Sequence, residues 1–309
     1  MKVHHEIEER LDIERPVLTI GTFDGVHLGH QKILKRLITL AKKINGESVV
    51  LTFHPHPRIV LNPEDHNLEL IQPIEKRIQK LEELGIDHLI LYPFTKEFSR
   101  MPATVFVRDI LVNKIGVNFL NIGYDHHFGR NREGSIELLR ELSETYGFEV
   151  EETPAFEKEE VKISSTKIRN AIKTGDVDFA NSFLGYTFSF QGRVVTGKGL
   201  GKQLGFPTAN LEVVSPYQIT PGNGVYAVVG VVEGIRVPGM MNVGVAPTIS
   251  EDSKRTFEVH FFDFEQNIYG KVIEIECVKH IRSEKKFESL ESLINQIKQD
   301  EISIRNMLV

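Results

Sequence analysis

The stretch "GTFDGVHLGHQ", Gly21 to Gln31, decides the fold of the first half of the chain. A short β-branched run, "VLTI" (17–20), leads into it and reads as a buried strand ending at Gly21. It leaves through "HQKILKRLITLAKKI" (30–44), where Ile33, Leu34, Leu37, Leu40, Ala41 and Ile44 recur at helical spacing with lysines on the other face. His27 and His30 therefore stand where a strand turns into a helix. The free N–H groups and the positive dipole end of such a helix start suit an anion. Residues three apart share a helix face, so both imidazoles can address one phosphate. Zinc is disfavoured, because no cysteine lies nearby and the His-Glu-x-x-His spacing is missing. Two ordinary surface histidines are the remaining alternative.

The same alternation continues outward. "SVVLTF" (48–53), "DHLILY" (87–92) and "NFLNIG" (118–123) read as buried strands, and "PIEKRIQKLEELG" (73–85) and "TVFVRDILVNKI" (104–115) as helices. Strands alternating with helices predict a parallel sheet covered by helices, with ligands beyond the carboxyl ends of the strands. "STKIRNAIKTGDVDFANSFLG" (165–185) predicts one or two short helices. From about residue 185 the pattern changes to short alternating strands between Gly, Pro and Asn turns, which predicts a β-barrel or sandwich. An amphipathic helix carrying Leu290, Leu293, Ile294 and Ile297 closes the chain. The expected domains are 1–184 and 185–309. The acidic run "EVEETPAFEKEE" (149–160) reads as a solvated loop.

The 309 residues carry a net charge of −6 and one cysteine, Cys277. No apolar run approaches the roughly 18 residues of a membrane span, and "MKVHHEIEER" has no signal-peptide core. These features predict a cytoplasmic protein with no membrane and no nucleic-acid partner, in which local basic residues handle any anionic ligand.

Two further stretches carry chemistry. "KISSTKIR" (162–169) places Ser164, Ser165 and Thr166 at a helix start, followed by Lys167 and Arg169. Such a group can hold phosphate oxygens, or it can be an ordinary N-cap. "GKGLGKQLGFPTANL" (197–211) combines glycines with Lys198 and Lys202, which suits a polyphosphate, although the Walker Gly-Lys-Ser/Thr ending is missing. Thr208 and Asn210 lie two apart and so point to one side of an extended chain, as hard oxygen donors suited to Mg²⁺. His54 and His56, each before a proline, suit an extended loop lining a cleft, with a metal role as the less favoured alternative.

"GTFDGVHLGH" with "KISSTKIR" resembles the nucleotidyltransferase superfamily. Together with "FHPHP" (53–57) and "GYDHHFGRNREG" (123–134), the first half resembles the flavin adenylyltransferase module of the prokaryotic bifunctional riboflavin kinase/FAD synthetase family. "FPTAN", "GVYAV" (224–228), "MNVGVAPT" (241–248), "FEVHFFDF" (257–264) and "HIRSEKKFESLESL" (280–293) resemble the kinase module of that family. The resemblance implies a Rossmann-like nucleotidyltransferase domain followed by a Greek-key β-barrel kinase domain with a terminal helix.

It further implies that Gly21, Phe23, His27 and His30 contact ATP, that Ser164, Ser165, Thr166 and Arg169 close on its phosphates, and that Asp125 lies on the flavin side. His126 stands where the family usually has an aromatic residue. In the kinase domain it implies Thr208 and Asn210 at Mg²⁺-ATP, Gly197 and Lys202 in the nucleotide loop, Glu258 as catalytic base and Arg282 on the flavin side. Lys202 replaces the arginine that many members carry, which keeps the charge and loses the bidentate fork. The expected ligands are riboflavin, FMN, FAD, ATP and ADP, and the expected assembly is a monomer or weak homo-oligomer. The rival readings are a nucleotidyltransferase of another small substrate with an accessory barrel, a catalytically silent flavin-binding regulator, and a short aminoacyl-tRNA synthetase.

Overall fold

The computed structural model describes the chain apart from residues 65–67, 125–127, 155–156, 159–160, 198, 246–254 and 309. By contacts the chain divides into two compact units. One comprises Met1–Leu68 and Pro73–Ser164, the other Glu69–Gln72 and Ser165–Val309.

In the first unit the elements in chain order are β1 (Lys2–His4), β2 (Val17–Ile20), α1 (Leu28–Lys43), β3 (Ser48–His54), α2 (Pro57–Leu61), α3 (Ile74–Glu83), β4 (His88–Pro93), α4 (Ala103–Phe106, continuing as a π-type stretch over Val107–Ile115), β5 (Phe119–Gly123), α5 (Ile136–Tyr146), β6 (Glu149–Thr153) and the short pair β7 (Glu157–Lys158) and β8 (Val161–Lys162). Six strands form a wholly parallel sheet in the order β1-β4-β3-β2-β5-β6. The four residues of β2 are all buried, as are the first five of β3, because helices cover both faces of these central strands. One core layer packs Leu34, Leu37 and Leu40 of α1 with Leu81 of α3; the other packs Phe106, Ile110 and Leu111 with Leu139 of α5. Strand order reverses at β2, which has β3 on one side and β5 on the other. A doubly wound sheet opens a crevice at that point, beyond the carboxyl ends of its strands.

Two elements depart from the sequence expectation. The start of the acidic run is not a loop but the edge strand β6, whose Glu151 pairs with Arg36 at 2.6 Å. β1 pairs with β4 at the opposite edge. Both are short and carry charges, as edge strands do, so neither shows the apolar run of a central strand.

The second unit begins with α6 (Ser165–Thr174) and α7 (Val177–Leu184), then β9 (Ser189–Val195), α8 (Leu200–Gln203), β10 (Ala209–Val213), β11 (Gly224–Val232), β12 (Ile235–Val245), β13 (Arg255–Phe261), β14 (Val272–Arg282) and α9 (Leu290–Leu308). The strands close into an antiparallel barrel in the order β10-β13-β12-β11-β14-β9. Period-two alternation aims Phe257, Val259 and Phe261 of β13 inward and leaves Glu258 and His260 half-buried on the other face. α9 covers that outer wall, with Ile304 fully buried among Val225, Ala227, Met240 and Phe262. α7 packs on β14: the Asn181 amide donates to the Cys277 carbonyl at 2.9 Å and its oxygen accepts from Phe188 N at 2.7 Å. Cys277 itself is fully buried, and burial pushes its thiol pKa up, so it is a small apolar filler. Residues 69–72 are tied into this unit by Leu70 N to the Tyr217 carbonyl, Ile219 N to the Leu70 carbonyl and a Lys173–Glu69 ion pair.

Candidate active sites

In the first unit the turn after β2 carries the site. Its backbone is strained. Phe23 has φ 47° and Val26 φ 34°, conformations rare for any side chain and rarest for a β-branched one. Asp24 is fully buried inside this turn, and its carboxylate faces the Arg77 guanidinium of α3 at 3.7 Å, itself buried. Such a pair holds a turn that unconstrained backbone would leave. His27 then caps α1, its Nδ1 accepting from His30 N at 3.2 Å. The His27 and His30 rings stack with centroids 3.6 Å apart. A Cβ on Gly29 would sit 3.2 Å from the His27 ring, so glycine there lets the ring fold over the helix start.

Gly21, Phe23 and His30 line one rim of a cavity of about 680 Å³, whereas His27 is not part of its lining. Its wall is aromatic. Phe53, Phe94, Phe98, Phe106 and Phe128 line it, and successive rings meet at centroid distances of 5.6 to 5.9 Å. The wall draws on the ends of β3, β4 and β5, where the switch point predicts a ligand. His56 caps α2 by accepting from Arg58 N at 3.2 Å, while Pro57 and Leu61 of α2 line the cavity. Among the described residues no group of three or more His, Cys, Asp or Glu is placed to hold a metal ion. Ser165 and Thr166 lie in the first turn of α6, with Ser164 just before it and Arg169 at the start of the next turn. Asp125, His126 and Lys198 lie outside the described residues, as does the side chain of Lys202.

In the second unit a cavity of about 390 Å³ opens on the outer barrel wall, beside α8 and α9. Thr208, Glu258 and Arg282, far apart in sequence, all line it, with Asn242, His260 and Asp300. Pairing registers set Asn210 opposite Glu258 on one side and Asn242 opposite Glu258 on the other. Directly opposed side chains share a face at roughly 5 Å, so Asn210, Glu258 and Asn242 form a row across three strands. Asn210 is backed by Gly197, where a Cβ would lie 2.7 Å from Asn210 Oδ1. The Arg282 guanidinium donates to Asp300 of α9 at 2.8 Å, and Asp300 also accepts from Gln296 at 2.9 Å. Asp263, the other acid in "FEVHFFDF", lies past the end of β13 at φ 53°, exposed and paired with Arg305 at 2.6 Å. It does not line the cavity.

Comparison with known proteins matches a different family to each half of the chain. Residues 10–167 match the FAD synthetase family and residues 184–308 the riboflavin kinase family. The bifunctional riboflavin kinase/FMN adenylyltransferase of Haemophilus influenzae is 40% identical over 284 residues, 92% of this chain and 91% of its own. The chain belongs to the bifunctional riboflavin kinase/FMN adenylyltransferase family. The Listeria monocytogenes member of the family is 37% identical over 305 residues, 98% of this chain and 96% of its own. A crystal structure from Streptococcus pneumoniae, described as a macrolide-efflux protein, superposes with a TM-score of 0.90 at 31% identity over 99% of both chains. Among the described residues here, no helix is long and apolar enough to cross a membrane.

Of the residues the sequence suggests, Gly21, Phe23 and His30 line the first cavity and Thr208, Glu258 and Arg282 the second, while the sequence does not anticipate the aromatic wall. Phe94, Phe98 and Phe106 look like core residues in sequence, and only the loops after β3, β4 and β5 converge them. Asn242 had a signal, since it lies inside "MNVGVAPT", but its row with Glu258 depends on strand register. Asp24 and Arg77 carry no mutual signal across 53 residues of chain.

Proposed function

We propose that the chain's two activities are divided between these two cavities, with the domains meeting near residues 184 and 185. The chain phosphorylates riboflavin to FMN and adenylylates FMN to FAD, both with ATP. The observation that carries the division is that Thr208, Glu258 and Arg282 line one cavity while Gly21, Phe23 and His30 line another.

In the kinase cavity the 5′-hydroxyl of riboflavin must lose its proton as its oxygen attacks the γ-phosphorus of ATP and ADP departs. Glu258 accepts that proton. Arg282, held by Asp300, faces the flavin. Thr208 and Asn210 supply a hydroxyl and an amide oxygen from neighbouring positions, a donor set that fits Mg²⁺, and Gly197 and Lys202 belong to the nucleotide loop. Bound there, Mg²⁺ would offset phosphate charge and carry the nucleotide.

In the other cavity the nucleophile is the FMN phosphate, already ionised. Its oxygen attacks the α-phosphorus of ATP and pyrophosphate leaves, so no base is needed. His27, His30 and the α1 N-terminus stabilise the phosphate charge, with Gly21 and Phe23 beside them. The resemblance to the family implies phosphate binding by the Ser164, Ser165, Thr166 and Arg169 helix start, and a flavin-side place for Asp125. The aromatic wall offers stacking surface to a flavin ring. We place the enzyme in the cytoplasm as a monomer or weak homo-oligomer, with small-molecule ligands and no nucleic acid.

Incubating the protein with riboflavin, Mg²⁺ and ATP and separating the products by chromatography tests this directly. FMN should appear first and FAD after it. A regulator that binds flavin without turnover would give neither.

A further inference from the structure

Glu258 shares its face of β13 with a second titratable side chain. His260, two residues on, lines the same cavity. Its Nδ1 lies 2.8 Å from the Pro207 carbonyl oxygen. Its ring meets Phe206 edge-on at 5.6 Å between centroids and Phe262 at 5.7 Å. A carbonyl oxygen only accepts, so Nδ1 carries the proton in this contact, whatever the charge of the ring.

The place of this bond in the ladder gives it a purpose. β10 pairs with β13 from Ala209 opposite Val259 onward. Thr208 is therefore the first residue beyond the ladder, and Pro207 has no N–H with which to extend it. On its other side Thr208 meets α8: a Cβ on Gly201 would lie 2.9 Å from Thr208 Oγ1. The His260 side chain grips the chain where backbone pairing stops, one residue before Thr208, which lines the cavity.

We propose that His260 is a positioning residue of the kinase site, whose Nδ1–H fixes the Pro207 carbonyl and with it the Thr208 hydroxyl that receives Mg-ATP. This rests on the reading of Thr208 as a metal-side ligand.

Three substitutions at position 260 separate the roles of the ring atoms. The asparagine amide nitrogen falls near Nδ1, and that of glutamine near Nε2. Binding of Mg-ADP is measured by calorimetry, alongside the KM for Mg-ATP and the KM for riboflavin. His260→Ala and His260→Gln should weaken Mg-ADP binding about three- to tenfold, the range for one lost hydrogen bond. His260→Asn should restore it to within about twofold of the wild type, with the riboflavin KM steady throughout. Wild-type Mg-ADP affinity in His260→Ala overturns the proposal. So does retention by His260→Gln with loss by His260→Asn, which would make Nε2 the working atom. Equal weakening in all three variants also overturns it, since ring packing alone would then be at stake. Thr208→Ala is measured in parallel. If it binds Mg-ADP normally, the metal-side reading of Thr208 fails and takes the inference with it; if it binds weakly while His260→Ala binds normally, only the inference fails.

Discussion

On the proposed division, the two cavities handle the same cosubstrate by different means. One lies at the carboxyl edge of a parallel sheet, where a strained turn, two stacked histidine rings and a helix N-terminus meet. The other lies on the outer wall of an antiparallel barrel, where strand register sets a carboxylate between two asparagines. The nucleophiles account for the difference. A phosphate monoester arrives ionised and needs positioning and charge neutralisation. A primary alcohol arrives protonated and needs an acceptor. On this account a carboxylate is required in one cavity and unhelpful beside the incoming phosphate in the other.

The comparison breaks first at Glu258. Glu258→Gln keeps shape but cannot take the proton, so riboflavin kinase turnover should fall about 10²-fold or more, the scale of general-base catalysis. Mg-ADP binding and FAD formation from supplied FMN should stay near wild type. A variant that phosphorylates riboflavin at the normal rate would remove Glu258 from its role.

His30→Ala is the reciprocal test. Losing one preorganised charge-stabilising group should lower FAD formation from FMN about 10²- to 10³-fold, and initial-rate assays should find riboflavin phosphorylation intact. Stoichiometric zinc in elemental analysis of the wild type would instead favour a metal role for the histidines.

The buried Asp24–Arg77 pair gives an effect of a different kind. Arg77→Met removes the guanidinium that faces the buried Asp24 carboxylate, and breaking a buried pair costs about 3–5 kcal/mol. Denaturation should report that loss. In the fraction still folded, FAD formation should suffer and the kinase should not, because the turn that presents His27 is what relaxes. Equal loss of both activities in folded protein would contradict this.

A smaller effect is expected from truncation. Fragment 185–309 should make FMN and no FAD, yet melt below fragment 165–309, because it lacks Asn181 and its bonds to Cys277 and Phe188. Smallest of all, Asp263→Asn should leave kinase turnover within about twofold, as is usual for exposed sites.

Where the sequence was legible, periodicity carried the message. The β2-to-α1 turn, the barrel pattern and the terminal helix all follow from apolar spacing, because burial of one face forces it. "FPTAN" and "FEVHFFDF" mark polar positions but not which side of β13 is the cleft; the structure puts Glu258 in the cavity lining and Asp263 outside it, past the end of the strand. Short charged edges such as β1 and β6 carry too few apolar residues to announce a strand. The aromatic wall and the Asp24–Arg77 pair were illegible for another reason. Each is a meeting of residues distant in the chain, and local pattern holds no record of such meetings.

The most direct test of two self-sufficient sites is to mix them. His30→Ala protein should convert riboflavin to FMN and stop there, and Glu258→Gln protein should make FAD only from added FMN. With riboflavin, Mg²⁺ and ATP, the mixture should accumulate FAD as FMN passes from one protein to the other. A mixture that makes no more FAD than either variant alone would contradict the account.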